Sequence, residues 1–254
     1  MIDTHAHIYS EKFSQDREAM LAKTFESGVS KILMPNIDLE SIEPMLELEK
    51  NYPNQCYSMM GLHPCYVKET FQEDLKVIEG WWKKRDFIAV GEMGLDLYWD
   101  KTFFEQQKEA FRIQAKWAME FEKPLIIHTR DSMQETIELL GELANEKLFG
   151  IVHCFTGDLK DAERIIELGF HLGIGGVATF KKGGLDKVLP HIDLKHLVLE
   201  TDAPYLAPKP FRGKRNEPSY IPIIAKRIAE LKEISIEEVG RATDENALKL
   251  FGLN

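Results

Sequence analysis

Short runs of apolar and β-branched residues recur along the chain roughly every 28 residues. Between them, apolar positions fall at helical spacing. The runs predict eight strands: Met1–His5, Lys31–Pro35, Gln55–Gly61, Phe87–Gly91, Leu125–His128, Gly150–Cys154, Phe170–Ile174 and Leu197–Glu200. Several, such as Leu125-Ile126-Ile127, are apolar without alternation, as a parallel strand covered on both faces requires. Phe104, Phe111, Ala115 and Ala118 mark one helix between strands, and Ile224, Ile228 and Leu231 another. Gly28 and Gly169 stand where helices should stop, and Ser132 with Glu135 reads as a capping box. Strict alternation of strand and helix predicts an α/β protein: one (β/α)8 TIM-type barrel spanning residues 1–254, with its site at the C-terminal ends of the strands. An open doubly wound sheet is the competing fold, but the glycine-rich turn it carries after its first strand is absent. The longest irregular stretch, Ala203–Ser219, follows the eighth strand and is expected to lie over the barrel mouth.

Composition narrows the function. With 254 residues, 44% of them hydrophobic, the chain can bury a large core, and a net charge of −10 argues against a sequence-independent nucleic-acid coat protein. It leaves room for an enzyme that meets nucleic acid through one local patch. Cys56, Cys65 and Cys154 are too scattered for a disulfide framework or a thiolate zinc site; Cys154, although next to a histidine, reads as core filling. Candidate strand and site residues begin at Met1-Ile2-Asp3-Thr4-His5, so no signal peptide is expected, and no apolar run is long enough to span a bilayer. The expected compartment is the cytoplasm.

The polar residues that interrupt this pattern fall at the strand ends. His5 and His7 close the first strand, and His63 follows the third. Glu92 follows the fourth, His128 ends the fifth, His153 sits late in the sixth, and Asp202 follows the eighth. Side chains at i and i+2 of an extended segment point the same way, so His5 and His7 can reach one ion. Glu92 has two oxygens and can bridge two ions. Each residue taken alone reads equally well as a solvated or internally hydrogen-bonded group; together, at one end of one barrel, they form a metal site.

Asp3-Thr4-His5-Ala6-His7, Gly61-Leu62-His63-Pro64, Gly91-Glu92-Met93-Gly94-Leu95-Asp96, Ile127-His128-Thr129-Arg130, His153-Cys154-Phe155-Thr156-Gly157 and Glu200-Thr201-Asp202-Ala203-Pro204 resemble, in order, the motifs of the TatD family of metal-dependent deoxyribonucleases. The resemblance runs from residue 1 to the terminal Asn246–Phe251 helix. It implies one ion held by His5, His7, Glu92 and Asp202 and a second by Glu92, His128 and His153. Imidazole-rich ligation favours Zn²⁺, Mn²⁺ or Ni²⁺, whereas the family resemblance implies Mg²⁺.

The expected chemistry is metal-assisted hydrolysis of a phosphodiester at DNA 3′ ends, with DNA as the partner. Asp202 is the candidate proton acceptor, with Glu92 the other catalytic carboxylate. His63 and Arg130 are candidate phosphate or leaving-group contacts, and Arg212, Lys214 and Arg215 are candidate substrate contacts that steer an anionic chain. Tyr98, Trp99, Phe155 and Tyr205 are expected near the mouth, where aromatic rings can stack on bases. Two alternatives stand beside this one: deacylation of D-aminoacyl-tRNA by the same site, and a nucleic-acid-binding module on a degenerate barrel.

Overall fold

The computed structural model describes residues 1–253. Its strands are β1 (Ile2–Asp3), β2 (Lys31–Pro35), β3 (Cys56–Met59), β4 (Val90–Asp96), β5 (Leu125–Arg130), β6 (Gly150–Val152), β7 (Phe170–Ile174) and β8 (Leu197–Leu199). All neighbours are parallel, in the orders β1-β2-β3 and β4-β5-β6-β7-β8. Two parallel bridges join these sheets, Met60 with Val90 and Ala6 with Ala203. The second seam is reinforced where Thr4 N donates to Leu199 O at 2.9 Å and His7 N to Ala203 O at 2.7 Å. The eight strands therefore close into a barrel.

Helices α1 (Arg17–Glu26), α2 (Ile42–Asn51), α3 (Phe71–Trp82), α4 (Phe104–Phe121), α5 (Met133–Leu143) and α6 (Leu159–Glu167) follow the first six strands in turn. Between β7 and β8 only short 3₁₀ turns occur; α7 (Ile221–Lys232) and α8 (Ile236–Phe251) both come after β8. No helix among the described residues is long and apolar enough to cross a membrane. Gly28 and Gly169, at φ +91° and +89°, end α1 and α6 as predicted. The main core lies between helices and strands; a smaller one joins buried Ile2, Leu33, Met59, Ala89, Ile126, Ile151 and Val198 to Ala247 and Phe251 of α8. Asp244 of α8 accepts from Ile2 N at 2.8 Å and Asn246 donates to Leu197 O at 2.8 Å, so α8 closes the barrel at the strands' starting ends.

Two sequence expectations fail locally. The fourth strand does not stop at Gly91 but runs from Val90 to Asp96, with a register shift between Val90 and Met93, so Glu92 lies within the strand. Glycines and acids there mimic a loop. Gly94 is required instead by close approach, because a Cβ at that position would lie 1.9 Å from His128 O. The Ser132 capping box does not form: the Ser132 hydroxyl donates to Leu95 O at 2.8 Å and accepts from Arg130 N at 3.1 Å, tying two strand ends together. A tertiary acceptor outcompetes the local one.

Candidate metal centre

The period of two that aims apolar side chains into the barrel also aims the site residues. Ile126 and His128 are such a pair on β5, and Ile151 and His153, and Val198 and Glu200, are pairs whose upper members lie just past the ends of β6 and β8. The lower member packs the core; the upper one enters the mouth. His5, Glu92 and Glu200 are almost fully buried, and His7 and His153 nearly so.

Glu92 is the centre. Its Oε2 lies 3.2 Å from His5 Nε2 and 3.4 Å from His7 Nε2. Its Oε1 lies 2.8 Å from His153 Nε2, 2.9 Å from His128 Nδ1 and 3.3 Å from His63 Nε2. Asp202 closes the first side, with Oδ1 3.5 Å from His7 Nε2 and 3.9 Å from His5 Nε2. His5 and His153 stack with ring centroids 3.9 Å apart. Three groups that could hold a metal ion result: His5, His7 and Glu92; His5, His153 and Asp202; and His63, Glu92 and His128. His153 therefore adjoins the first side as well as the second.

On their outer sides the imidazoles face groups that can accept a proton. Tyr9 OH donates to Pro35 O at 2.6 Å, so it accepts from His7 Nδ1 at 3.0 Å. His128 Nε2 faces Asp96 Oδ2 at 3.1 Å, and His153 Nδ1 faces Glu200 Oε1 at 3.5 Å. With those outer nitrogens protonated, the inner nitrogens of His7, His128 and His153 point at the oxygens of Glu92, where each can carry a proton or bind a metal ion. A cation between these nitrogens and the carboxylate oxygens would satisfy both, so the donor set fits metal ions, and the outer carboxylates and tyrosine are the groups that orient such ligands.

His63 differs. Its Nδ1 accepts from Cys65 N at 3.1 Å, which leaves the proton on Nε2 and makes His63 a donor into the site.

The electrostatics show a demand for positive charge at this cluster. Burial would raise the Glu92 carboxyl, but His153, His63 and His5 outweigh it and hold Glu92 well below the usual range. Burial opposes charge on His128 and His153, yet Asp96 and Glu92 hold the first up, and Glu92 and Glu200 hold the second well up. These positions favour a cation. Burial pushes His5 and His63 down. It also pushes the Cys154 thiol well up, and Cys154 joins none of the ligand groups.

Asp202 (φ +58°) and Cys154 (φ +46°) both hold the left-handed conformation at strand ends, where backbone strain commonly accompanies function. Asp3, pushed up to about 8 by burial, accepts from Thr201 Oγ1 at 2.5 Å, Thr201 N at 3.0 Å and His5 N at 3.2 Å. It thereby ties the first ligand segment to the last.

Tyr9, Asp96 and Glu200 were not predicted as functional. Only a weak signal could have found two of them: Tyr9 is two residues from His7, and Glu200 two from Asp202.

The outer contacts divide. Tyr98, Trp99 and Tyr205 are 53%, 67% and 46% exposed, and the Arg130 guanidinium covers the Tyr98 ring at 4.0 Å. Phe155, by contrast, is buried in the core and cannot stack on a base. Arg215 is also withdrawn: it pairs with Asp16 through two bonds of 2.7 and 2.6 Å, donates to Lys12 O and covers Phe13. Arg212 and Lys214 remain exposed.

Residues 2–252 match the model of the TatD related DNase family. Over the whole of both chains, the protein is 40% identical to an uncharacterized metal-dependent hydrolase, YabD, of Bacillus subtilis. It is 33% identical, again over the whole of both chains, to the 3′-5′ ssDNA/RNA exonuclease TatD of Pectobacterium parmentieri. The crystal structure of YjjV, a TatD homologue from Escherichia coli, superposes with a TM-score of 0.93 at 32% identity, covering 100% of this chain and 98% of that one. The barrel, the buried ligand set and these relatives make one case: the chain belongs to the TatD-related DNase family of metal-dependent hydrolases.

Proposed function

We propose that the protein is a metal-dependent phosphodiesterase that removes nucleotides from the 3′ ends of DNA. The observation that carries this reading is the convergence of imidazole nitrogens of His7, His128 and His153 on the two oxygens of one carboxylate, Glu92. In this proposal His5, His7, Glu92 and Asp202 hold one divalent ion, and Glu92, His128 and His153 hold the other. Such ions would polarise a phosphodiester and make water acidic enough to attack at neutral pH. The nuclease name borne by the Pectobacterium relative supports the substrate class.

The protein's own groups have separate tasks. Asp202, partly exposed at the edge of the ligand cluster, accepts a proton from the attacking water and returns it to the departing 3′ oxygen as the P–O bond breaks. His63 donates from Nε2 to a phosphate oxygen, and Arg130 supplies charge at the rim. Tyr98, Trp99 and Tyr205 offer faces to unpaired bases.

The deciding experiment assays purified enzyme, with Mn²⁺, Zn²⁺ or Mg²⁺ in turn, on 3′-labelled single-stranded DNA and on D-aminoacyl-tRNA. Release of mononucleotides from the 3′ end is expected. Deacylation without nucleotide release would overturn the phosphodiester reading.

A further inference from the structure

A second feature lies beside the mouth, in the loops after β7 and β8. Here Thr179, Phe180 and Lys181, Lys209 and Pro210, and the α7 residues Lys226, Arg227 and Glu230 line a groove of about 610 Å³. Its walls are fixed. Thr179 Oγ1 donates to Gly176 O at 2.7 Å and accepts from Lys209 N at 2.9 Å, binding the two loops together. Arg227 is spent on the structure, bonding Ala178 O at 3.4 Å and pairing with Glu230 at 3.3 Å. Lys181, Lys209 and Lys226 are exposed and, among the described residues, pair with no carboxylate. The remaining acid in the lining is Asp186. Arg212 extends the patch by covering the Phe180 ring at 4.5 Å. On a chain of net charge −10, unpaired lysines gathered in one groove mark a local polyanion site.

The β7 loop that walls the groove packs on the segment that carries Glu200 and Leu206. A Cβ on Gly175 would lie 3.6 Å from Glu200 O, and one on Gly176 would lie 2.1 Å from Leu206 O. The β7 and β8 loops are thus pressed together, with no side chain intervening. From Gly175 to Thr179 the chain spans at most about 14 Å, the rise of about four stacked nucleotides.

We propose that this groove is the track for the backbone phosphates of a single strand whose 3′ end lies at the metal centre, with Lys181, Lys209 and Lys226 as the phosphate contacts. The proposal rests on the nuclease reading and adds the path of the chain. It divides substrates by length: strands of about three nucleotides end before the groove, whereas a 12-nucleotide strand fills it.

The test measures binding of fluorescent 3- and 12-nucleotide DNAs with phosphorothioate 3′ ends to the metal-loaded enzyme, by anisotropy across salt concentrations. The variants are Lys181→Ala/Lys209→Ala/Lys226→Ala and a control, Lys50→Ala/Lys76→Ala/Lys160→Ala, of exposed lysines elsewhere. Each phosphate contact on a single strand contributes about 0.7 to the log–log salt slope, so the groove variant should flatten the 12-nucleotide slope by about two. Its affinity at 0.1 M salt should fall at least about tenfold, while 3-nucleotide binding and the control stay unchanged. Retention of wild-type slope and affinity by the groove variant would overturn the proposal. So would equal losses in the control, or wild-type enzyme that binds both lengths alike. If the groove variant loses the slope but the wild type cleaves only aminoacyl esters, the track stands and the nuclease reading falls.

Discussion

Asp96 Oδ2 lies 3.1 Å from His128 Nε2, and this contact sets which nitrogen of His128 faces Glu92. Asp96 is itself held by Tyr98 N and Trp99 N, each donating to Oδ1, so the segment that displays the exposed aromatics also fixes a ligand. Asp96→Asn keeps the shape but can present its amide N–H to the ring and reverse its tautomer. Metal affinity or activity should fall about 10–100-fold, the usual cost of losing a ligand's outer partner. Titration with Mn²⁺ together with a thermal melt checks this; unchanged affinity in a folded variant would remove Asp96 from the site.

Glu92 should hold both ions. Reconstituted protein should approach two equivalents by elemental analysis, and Glu92→Gln should weaken both, whereas His128→Ala should chiefly weaken one. Wild-type turnover of Glu92→Gln at limiting metal would refute the bridge.

Gly173 makes room for Glu200: a Cβ there would lie 2.2 Å from Glu200 Oε2. Glu200 is fully buried and also accepts from Cys154 N at 2.6 Å, so it has little space to retreat. Gly173→Ala should cost about 1–3 kcal/mol, as overpacking does, and lower activity beyond what instability explains. Denaturant unfolding and kcat of the folded fraction separate the two effects.

Trp99 should act on the substrate alone. Removing a base-stacking ring costs about 1–3 kcal/mol per base, so Trp99→Ala should raise KM for single-stranded DNA about 5- to 150-fold. Hydrolysis of a small chromogenic phosphodiester should not change. Equal damage to both substrates would place Trp99 in support of the metal site.

Arg215 should matter for stability but not for substrate. Its hydrogen bonds hold the Asp16 carboxyl below the usual range. A depressed carboxylate stabilises the fold above its unfolded value, near 3.8, and that contribution is lost as pH falls through the folded value. Arg215→Ala should therefore lower Tm at neutral pH, by an amount that shrinks in acid, and leave the salt dependence of DNA binding unchanged. A flattened salt slope would return Arg215 to the substrate path.

The sequence by itself determined the barrel and picked out the candidate ligands. Parallel strands buried on both faces must be written as apolar runs, and ligands must break those runs at the strand ends, so His5, His7, His128, His153 and Asp202 stand out in one dimension. The fourth strand was only half legible, because Gly91, Glu92 and Gly94 serve close packing and the site rather than the apolar pattern. What the tertiary structure alone decided is the pairing of groups distant in sequence. Asp96 meets His128, Glu200 meets His153, and Tyr9 meets Pro35. Asp16 draws Arg215 away from the mouth, and the loops after β7 and β8 gather Lys181, Lys209 and Lys226 into one groove. A side chain's proton, charge and exposure depend on what it touches, and in a barrel those contacts are set by strand register and loop packing, which composition and spacing do not encode.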